Sequence, residues 1–261
     1  MSDDTAAGAK RGDEEFLAGY DPALYPHPSL AVDVVLLTVS GGALRTLLVR
    51  RDEAPQAGRY ALPGGFVGIG ESLDDAATRI LASKAGATGI YTEQLYTFGE
   101  PARDPRTRVV SVAYFALVPP DRLPAGAVLS EIAVPWEGEA GGAVRALDTD
   151  GALPLAFDHA DILGLAVKRL RGRIWYSPVA FELVPARFTL LDLRRVYETI
   201  LGRALNKDSF RRRVIDAGLV VPTGDAGRGA AHRPAGLYEF AGAKVWPVGV
   251  KAGQADGEPG L

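Results

Sequence analysis

The chain has 261 residues, 47% hydrophobic and 23% charged, the composition of a globular protein with room for two ordinary domains. Zero cysteines exclude disulfides and thiolate zinc sites, three histidines argue against a histidine-rich metal centre, and no run of roughly 18 apolar residues is present to span a membrane. The net charge of −3 hides an asymmetry: residues 1–155 carry 13 Lys and Arg against 21 Asp and Glu, whereas residues 156–248 carry 15 against 9, so an acidic part and a basic part with different partners are expected.

Residues 1–27 are polar and small, lack the apolar stretch of a secretory signal, and are expected to be a flexible leader on a cytoplasmic protein. Two Val/Leu-rich runs, Leu30 to Val39 and Leu44 to Arg51, flank Ser40-Gly41-Gly42 and predict a hairpin. A glycine-rich loop from Gly64 to Gly70 follows. Ser72 then starts a helix to about Ala85, with Leu73, Ala76, Ala77 and Ile80 on one face and Gly86 as its stop. Strands are predicted at about 90–98, 108–118 and 129–136. Residues 28–152 thus read as an α+β domain with a mixed sheet.

Residues 153–248 read as mostly helical. One helix runs from Asp158 or His159 to about Arg171. Thr189 caps a second, with Leu193, Val196, Tyr197 and Ile200 inward, and Gly202 ends it. Asn206 caps a third to about Ala217. The gap of Gly202 to Leu205 has the length of a helix-turn-helix turn. Leu219 to Thr223 and Gly236 to Phe240 read as two strands of a basic hairpin, and residues 249–261 as a flexible tail.

Chemistry concentrates in two places. The first is Leu62 to Glu71 with Arg79 and Gly86 beyond it. This segment resembles the Nudix box, with Gly65, Glu71, Arg79, Leu81 and Gly86 on matching positions. The resemblance implies a Nudix-like α/β/α sandwich. The box places glutamates where this chain has Ile80, Ser83 and Lys84. Carboxylates at that helical spacing share a face and can hold magnesium beside a pyrophosphate. Glu71 alone is a poor magnesium site, so no metal and little or no diphosphate hydrolysis are expected. A fold of this kind without hydrolysis serves as a nucleotide-diphosphate sensor. Arg50, Arg51, Arg79, Arg108 and Lys84 are the cationic candidates for the diphosphate, with Glu71 and Phe66 beside them; Tyr60, Phe66 and Tyr114 are candidates to stack on a base. Arg79 is also placed to pair with Glu71.

The second place is the third C-terminal helix. At 100° per residue, Phe210, Val214 and Ala217 fall on the core side. Asp208, Ser209, Arg211 and Arg212 face away, with Lys207 and Arg213 on the flanks. Such a face suits the major groove of duplex DNA. Arg194 and Arg195 on the second helix, and Arg228 and Arg233 on the wing, are candidates for backbone contacts.

Joined, the two halves resemble the Nudix-related transcriptional regulators of NAD metabolism (the NrtR family). The resemblance rests on Leu153-Pro154-Leu155-Ala156-Phe157-Asp158-His159 and on Phe188-Thr189-Leu190, Val196-Tyr197-Glu198, Ile200-Leu201-Gly202 and Phe210-Arg211-Arg212. It implies a C-terminal winged helix-turn-helix domain and a homodimer on a palindromic double-stranded operator. It further implies repression of NAD biosynthesis or salvage genes, relieved by ADP-ribose or a related metabolite, with no required cofactor. An active Nudix hydrolase of ADP-ribose or a related nucleotide diphosphate, and an RNA- or protein-binding adaptor, are the alternatives.

Overall fold

The computed structural model describes residues 12–124, 126–226 and 235–242. At its centre lies β1 (Ser29–Ser40), whose run Val32 to Leu37 is buried on both faces. A continuous apolar run of this kind marks a strand covered from two sides. β1 pairs in parallel with β7 (Val109–Leu117) and antiparallel with β2 (Ala43–Leu47) and β5 (Gly64–Phe66). With β6 (Tyr91–Phe98), β8 (Leu129–Ala133), β9 (Arg145–Asp148) and β10 (Gly151–Leu153), the order is β10-β9-β8-β2-β1-β7-β6. The sheet is mixed, as expected. The predicted strand Leu44 to Arg51 breaks at Leu48. Its last part, β3 (Val49–Arg50), leaves the sheet to pair with β4 (Tyr60–Ala61), which carries Arg50 and Arg51 to one end of the domain.

Helix α1 (Leu73–Ala85) covers one face. Ser72 Oγ caps it by accepting from the Asp75 amide at 3.1 Å, and Gly86 ends it at φ +60°. Ala76, Ala77, Ile80 and Leu81 pack on Val32, Val34, Leu36 and Tyr114. Helix α2 (His159–Arg173) covers the other face. Its Ile162, Leu163, Val167 and Leu170 bury against Val35, Leu37, Phe115 and Leu117. Each such side chain contributes about 1.5–3 kcal/mol on full burial. The third layer of the sandwich is therefore α2, which comes from the C-terminal part of the sequence, beyond residue 152. Its core continues without a gap through the 3₁₀ turn Pro178–Leu183 into α3 (Leu190–Leu201) and α4 (Lys207–Asp216).

α3 opens with a capping box between Thr189 and Asp192 and closes at Gly202, φ +70°. Asn206 Oδ1 caps α4 by accepting from the amides of Asp208 at 3.1 Å and Ser209 at 3.0 Å. A three-stranded antiparallel sheet of β11 (Phe188–Thr189), β13 (Gly236–Phe240) and β12 (Val220–Ala226), in that order, completes the winged helix. The predicted wing residues Arg228 and Arg233, and the tail, lie outside the described residues. Within the expected leader, residues 12–19 are helical, and Tyr20 packs on both Phe16 and Tyr25 at ring separations of 5.8 and 5.7 Å. Among the described residues no helix is long and apolar enough to cross a membrane.

Candidate functional site

Arg50 and Arg51 at the end of β3 meet Lys84 near the end of α1 around a cavity of about 420 Å³. Arg106, from the loop between β6 and β7, joins them there. An adjoining cavity of about 210 Å³ shares Arg51, Leu62, Gly64 and Arg106 and adds Phe66, Asp33, Arg103, Phe157 and His159. Arg106 is held by Asp104 at 3.0 and 2.7 Å and lies 5.6 Å over the Phe66 ring. Its hydrogen bonds to Asp104 push that carboxyl below the usual range. Arg50, Arg51 and Lys84 make no ion pair among the described residues, although Asp52 and Glu53 line the same cavity, and Arg51 Nε donates to Pro55 O at 2.9 Å.

Beneath the cavity lies a buried ionic cluster. Asp33 stands on β1, inside the apolar run, and accepts from Ser111 Oγ at 2.6 Å. Arg103 grips Asp158 through Nε at 2.8 Å and Nη2 at 2.7 Å, and lies 3.5 Å from Asp33. His159 is 4% exposed; its Nδ1 accepts from the Leu62 amide at 2.9 Å, which leaves the proton on Nε2, 3.8 Å from Asp33. Burial pushes the His159 pKa down, against the pull of Asp33, so the ring is neutral near pH 7. Gly64 is required at this point, since a Cβ there would sit 2.2 Å from Asp33 Oδ1. Asp158 and His159 begin α2, and Phe157, at φ +50°, lies under the Arg51 guanidinium at 4.8 Å. The cavity wall and the first turn of the helix bridging both halves are thus the same residues.

The second site is α4. Lys207, Arg211 and Arg212 are exposed and Phe210 and Val214 buried, as expected, while Ser209, expected on the outward face, is half-buried. Lys207 and Arg211 line a groove of about 470 Å³ with Arg194, Thr189 and Tyr238. Three of the expected DNA contacts also have partners or neighbours within the fold. Arg213 stacks 4.9 Å over Trp175, in the turn that follows α2. Arg194 is half-buried and ties the turn together through Leu205 O at 3.3 Å and Glu198 at 3.7 Å. Arg195 lies on the wall of a cleft facing the Nudix half.

Residues 27–139 match the NUDIX domain family and residues 180–240 the NrtR DNA-binding winged helix domain. The chain is 39% identical over 231 residues to the ADPR responsive transcriptional repressor NtrR of Acinetobacter baylyi, covering 88% of each chain. It belongs to the NrtR family. The crystal structure of Shewanella oneidensis NrtR complexed with a 27mer DNA superposes on this NrtR-family chain with a TM-score of 0.67 at 35% identity, covering 81% of this chain and 93% of the other. The ADP-ribose pyrophosphatase of Methanocaldococcus jannaschii is 31% identical over 140 residues, 54% of this chain and 73% of its own length.

Against the magnesium chemistry that the Nudix fold suggests, the donors in this NrtR-family chain do not fit. Glu71 is bound by Arg79 at 2.6 and 2.8 Å and by the Gly68 amide at 3.0 Å, and these bonds lower its carboxyl pKa to about 2. Arg79 also donates to Phe66 O at 3.1 Å, so the pair braces the loop and stays outside the cavity. Ile80 is 1% exposed in the α1 core, and Lys84 carries a cation to the cavity rim. Among the described residues no three acidic or histidine side chains gather to hold a metal ion. Of the expected effector contacts, Arg50, Arg51, Phe66 and Lys84 line the cavities; Glu71, Arg79 and Arg108 do not. Tyr114 is core, its hydroxyl donating to Asp74 at 2.6 Å. Sequence reasoning reaches Arg103 and Arg106 only as members of the polar loop 98–108 between two strands, where binding residues often sit, and misses Asp33, Asp158 and His159. The signal was present in Asp33: an acid inside a Val/Leu strand has to find a partner.

Proposed function

We propose that this protein is a transcriptional repressor of NAD biosynthesis or salvage genes. Through α4 it binds a palindromic duplex operator as a homodimer, and ADP-ribose or a related NAD metabolite in the Nudix cavity releases it. The diphosphate sits among Arg50, Arg51, Lys84 and Arg106, whose geometry suits phosphate oxygens. Phe66 and Phe157 offer ring faces beside those cations. The domain does not hydrolyse its ligand, because the carboxylates that would hold magnesium are replaced or engaged.

One observation carries the reading: Phe157 and His159 line the adjoining cavity, which shares Arg51 and Arg106 with the first, and His159 is the first residue of α2. A ligand that moves Arg51 or Arg103 therefore acts on the first turn of the helix that packs against α3. α2 in turn reaches α3 through Arg171, which donates to Ile200 O at 2.7 Å. Half-sites on a duplex demand a fixed separation of roughly 34–36 Å between recognition helices, so a small rotation of α2 misplaces α4. By linkage, ADP-ribose and operator weaken each other by the same factor.

The test is a fluorescence-anisotropy titration of DNA from upstream of the protein's own gene neighbourhood, with and without ADP-ribose, beside a magnesium turnover assay. Sequence-selective binding that ADP-ribose weakens, with no turnover, is expected. Operator affinity indifferent to ADP-ribose would refute that effector. Metal-dependent cleavage without DNA selectivity would favour the hydrolase reading instead.

A further inference from the structure

A third cleft, of about 660 Å³, lies between the two halves and shares no lining residue with the effector cavities. Its walls come from the β1–β2 turn and β8 on one side, and from α2, the end of α3 and the helix-turn-helix turn on the other.

Arg171 forms its base. The residue is 6% exposed. Its Nε donates to Ile200 O at 2.7 Å, and Nη1 donates to Trp136 O at 3.0 Å and Gly138 O at 3.2 Å; the guanidinium lies 4.7 Å over the Trp136 ring. Every one of these partners is neutral. Among the described residues Arg171 makes no ion pair, and its Nη2 makes no hydrogen bond. Nη2 lies beside Gly202, another lining residue of the cleft: a Cβ there would be 3.3 Å from it. A buried guanidinium without a counter-charge is costly, and burial here pulls its pKa below the usual arginine value. The carbonyl end of α3 offsets part of that cost.

Two more guanidiniums, Arg195 and Arg203, are exposed on the same cleft and unpaired among the described residues. The two acids on its walls are engaged: Glu131 lies 3.8 Å from Arg45, and Glu198 accepts from the Leu205 amide at 2.9 Å and lies 3.7 Å from Arg194. The cleft therefore presents three guanidiniums without carboxylate partners. We propose that it is a second ligand site, taking an oxyanion group (phosphate or carboxylate) of a small metabolite, with Arg171 Nη2 at the base and Arg195 and Arg203 at the mouth. Its volume falls in the range of small-molecule pockets, roughly 300–1,000 Å³. A ligand here would clamp α2 and the end of α3 to β2 and β8, giving the DNA-binding half an input independent of the Nudix cavity.

The experiment is calorimetric titration of the full chain with inorganic pyrophosphate and, separately, with citrate, at fixed ionic strength. It is run in an Arg51→Gln/Lys84→Gln background, which disables the effector cavity as a competing anion site. Saturable binding is expected, and the probe that binds identifies the oxyanion. Adding Arg195→Gln/Arg203→Gln should weaken it at least tenfold; both side chains are exposed, so the fold is spared, which a thermal melt checks. Absence of saturable binding to either probe overturns the site. So does binding that the second pair leaves intact. Loss of operator affinity in that pair with anion affinity retained would assign both arginines to DNA phosphates and also overturn it.

Discussion

The cations of the Nudix cavity and those of α4 are chemically alike and set in opposite surroundings. Around the cavity, the open charges of Arg50, Arg51 and Lys84 sit on a frame of paired ones: Asp33, Arg103 and Asp158 below, Arg106 on Asp104 beside, Arg79 on Glu71 outside. On α4, Lys207, Arg211 and Arg212 project from an exposed helix face with no ion pair among the described residues. On the proposed function, a small diphosphate has to be gripped in one geometry, which the ion pairs around the cavity would hold rigid. Duplex phosphate is long and repetitive, so on the same proposal the loose charge of α4 would bind it through counterion release. The first should be sensitive to single substitutions and modestly to salt. The second should behave in the reverse way.

The sharpest way to break this contrast is Arg103→Ala. It leaves Asp33 and Asp158 without their shared partner in a site where Arg103 is 5% exposed and Asp33 11% by side chain. A loss of about 3–5 kcal/mol is expected, on the order of 10 °C in melting temperature. A melt within a degree or two of the parent would show that the frame holds nothing. Next in size, Arg211→Ala should cost about 1–3 kcal/mol of operator binding if it reads a base. Arg212→Ala, if it meets phosphate, should lower the slope of log affinity against log salt by about 1. Anisotropy titrations at several salt concentrations separate the two.

Lys84→Ala should raise the ADP-ribose concentration for half-release of operator about tenfold, roughly 1.4 kcal/mol, as expected for one charge-assisted phosphate contact. Acidification gives a related effect. The neutral form of His159 is favoured in the folded chain, so its folded pKa lies below the unfolded value of 6.5. Stability is then complete above 6.5 and declines as pH falls below it, by at most about 1.4 kcal/mol per pH unit. Thermal melts between pH 7.5 and 5.5 should show the decline, and His159→Gln should flatten it. The smallest effect belongs to Arg213→Ala. Losing its stacking on Trp175 should cost about 0.5–1 kcal/mol of stability and leave the salt slope of DNA binding alone. A fall in that slope would return Arg213 to the DNA face.

Local chemistry was legible in the linear chain. Ser72, Thr189 and Asn206 cap helices where their side chains reach amides two or three residues on, and Gly86 and Gly202 end helices where φ turns positive. The exposed set Lys207, Arg211 and Arg212 followed from helical periodicity against Phe210 and Val214. The spacing of Gly65, Glu71, Arg79 and Gly86 identified the domain. All these depend on neighbours within a turn or two, or on a pattern of fixed length.

Contacts between distant segments were decided only by the folded chain. That Arg103 would close on Asp158 across 55 residues, or Leu62 on His159 across 97, has no periodicity to announce it. The same holds for α2. Its apolar face was plain, but which surface it would cover was not, and it proved to be the layer shared by both halves. Arg213 and Arg195 show the limit from the other side: a helix wheel separates inside from outside, yet the direction of the outside, toward DNA, a tryptophan or a neighbouring domain, is set by how whole elements pack.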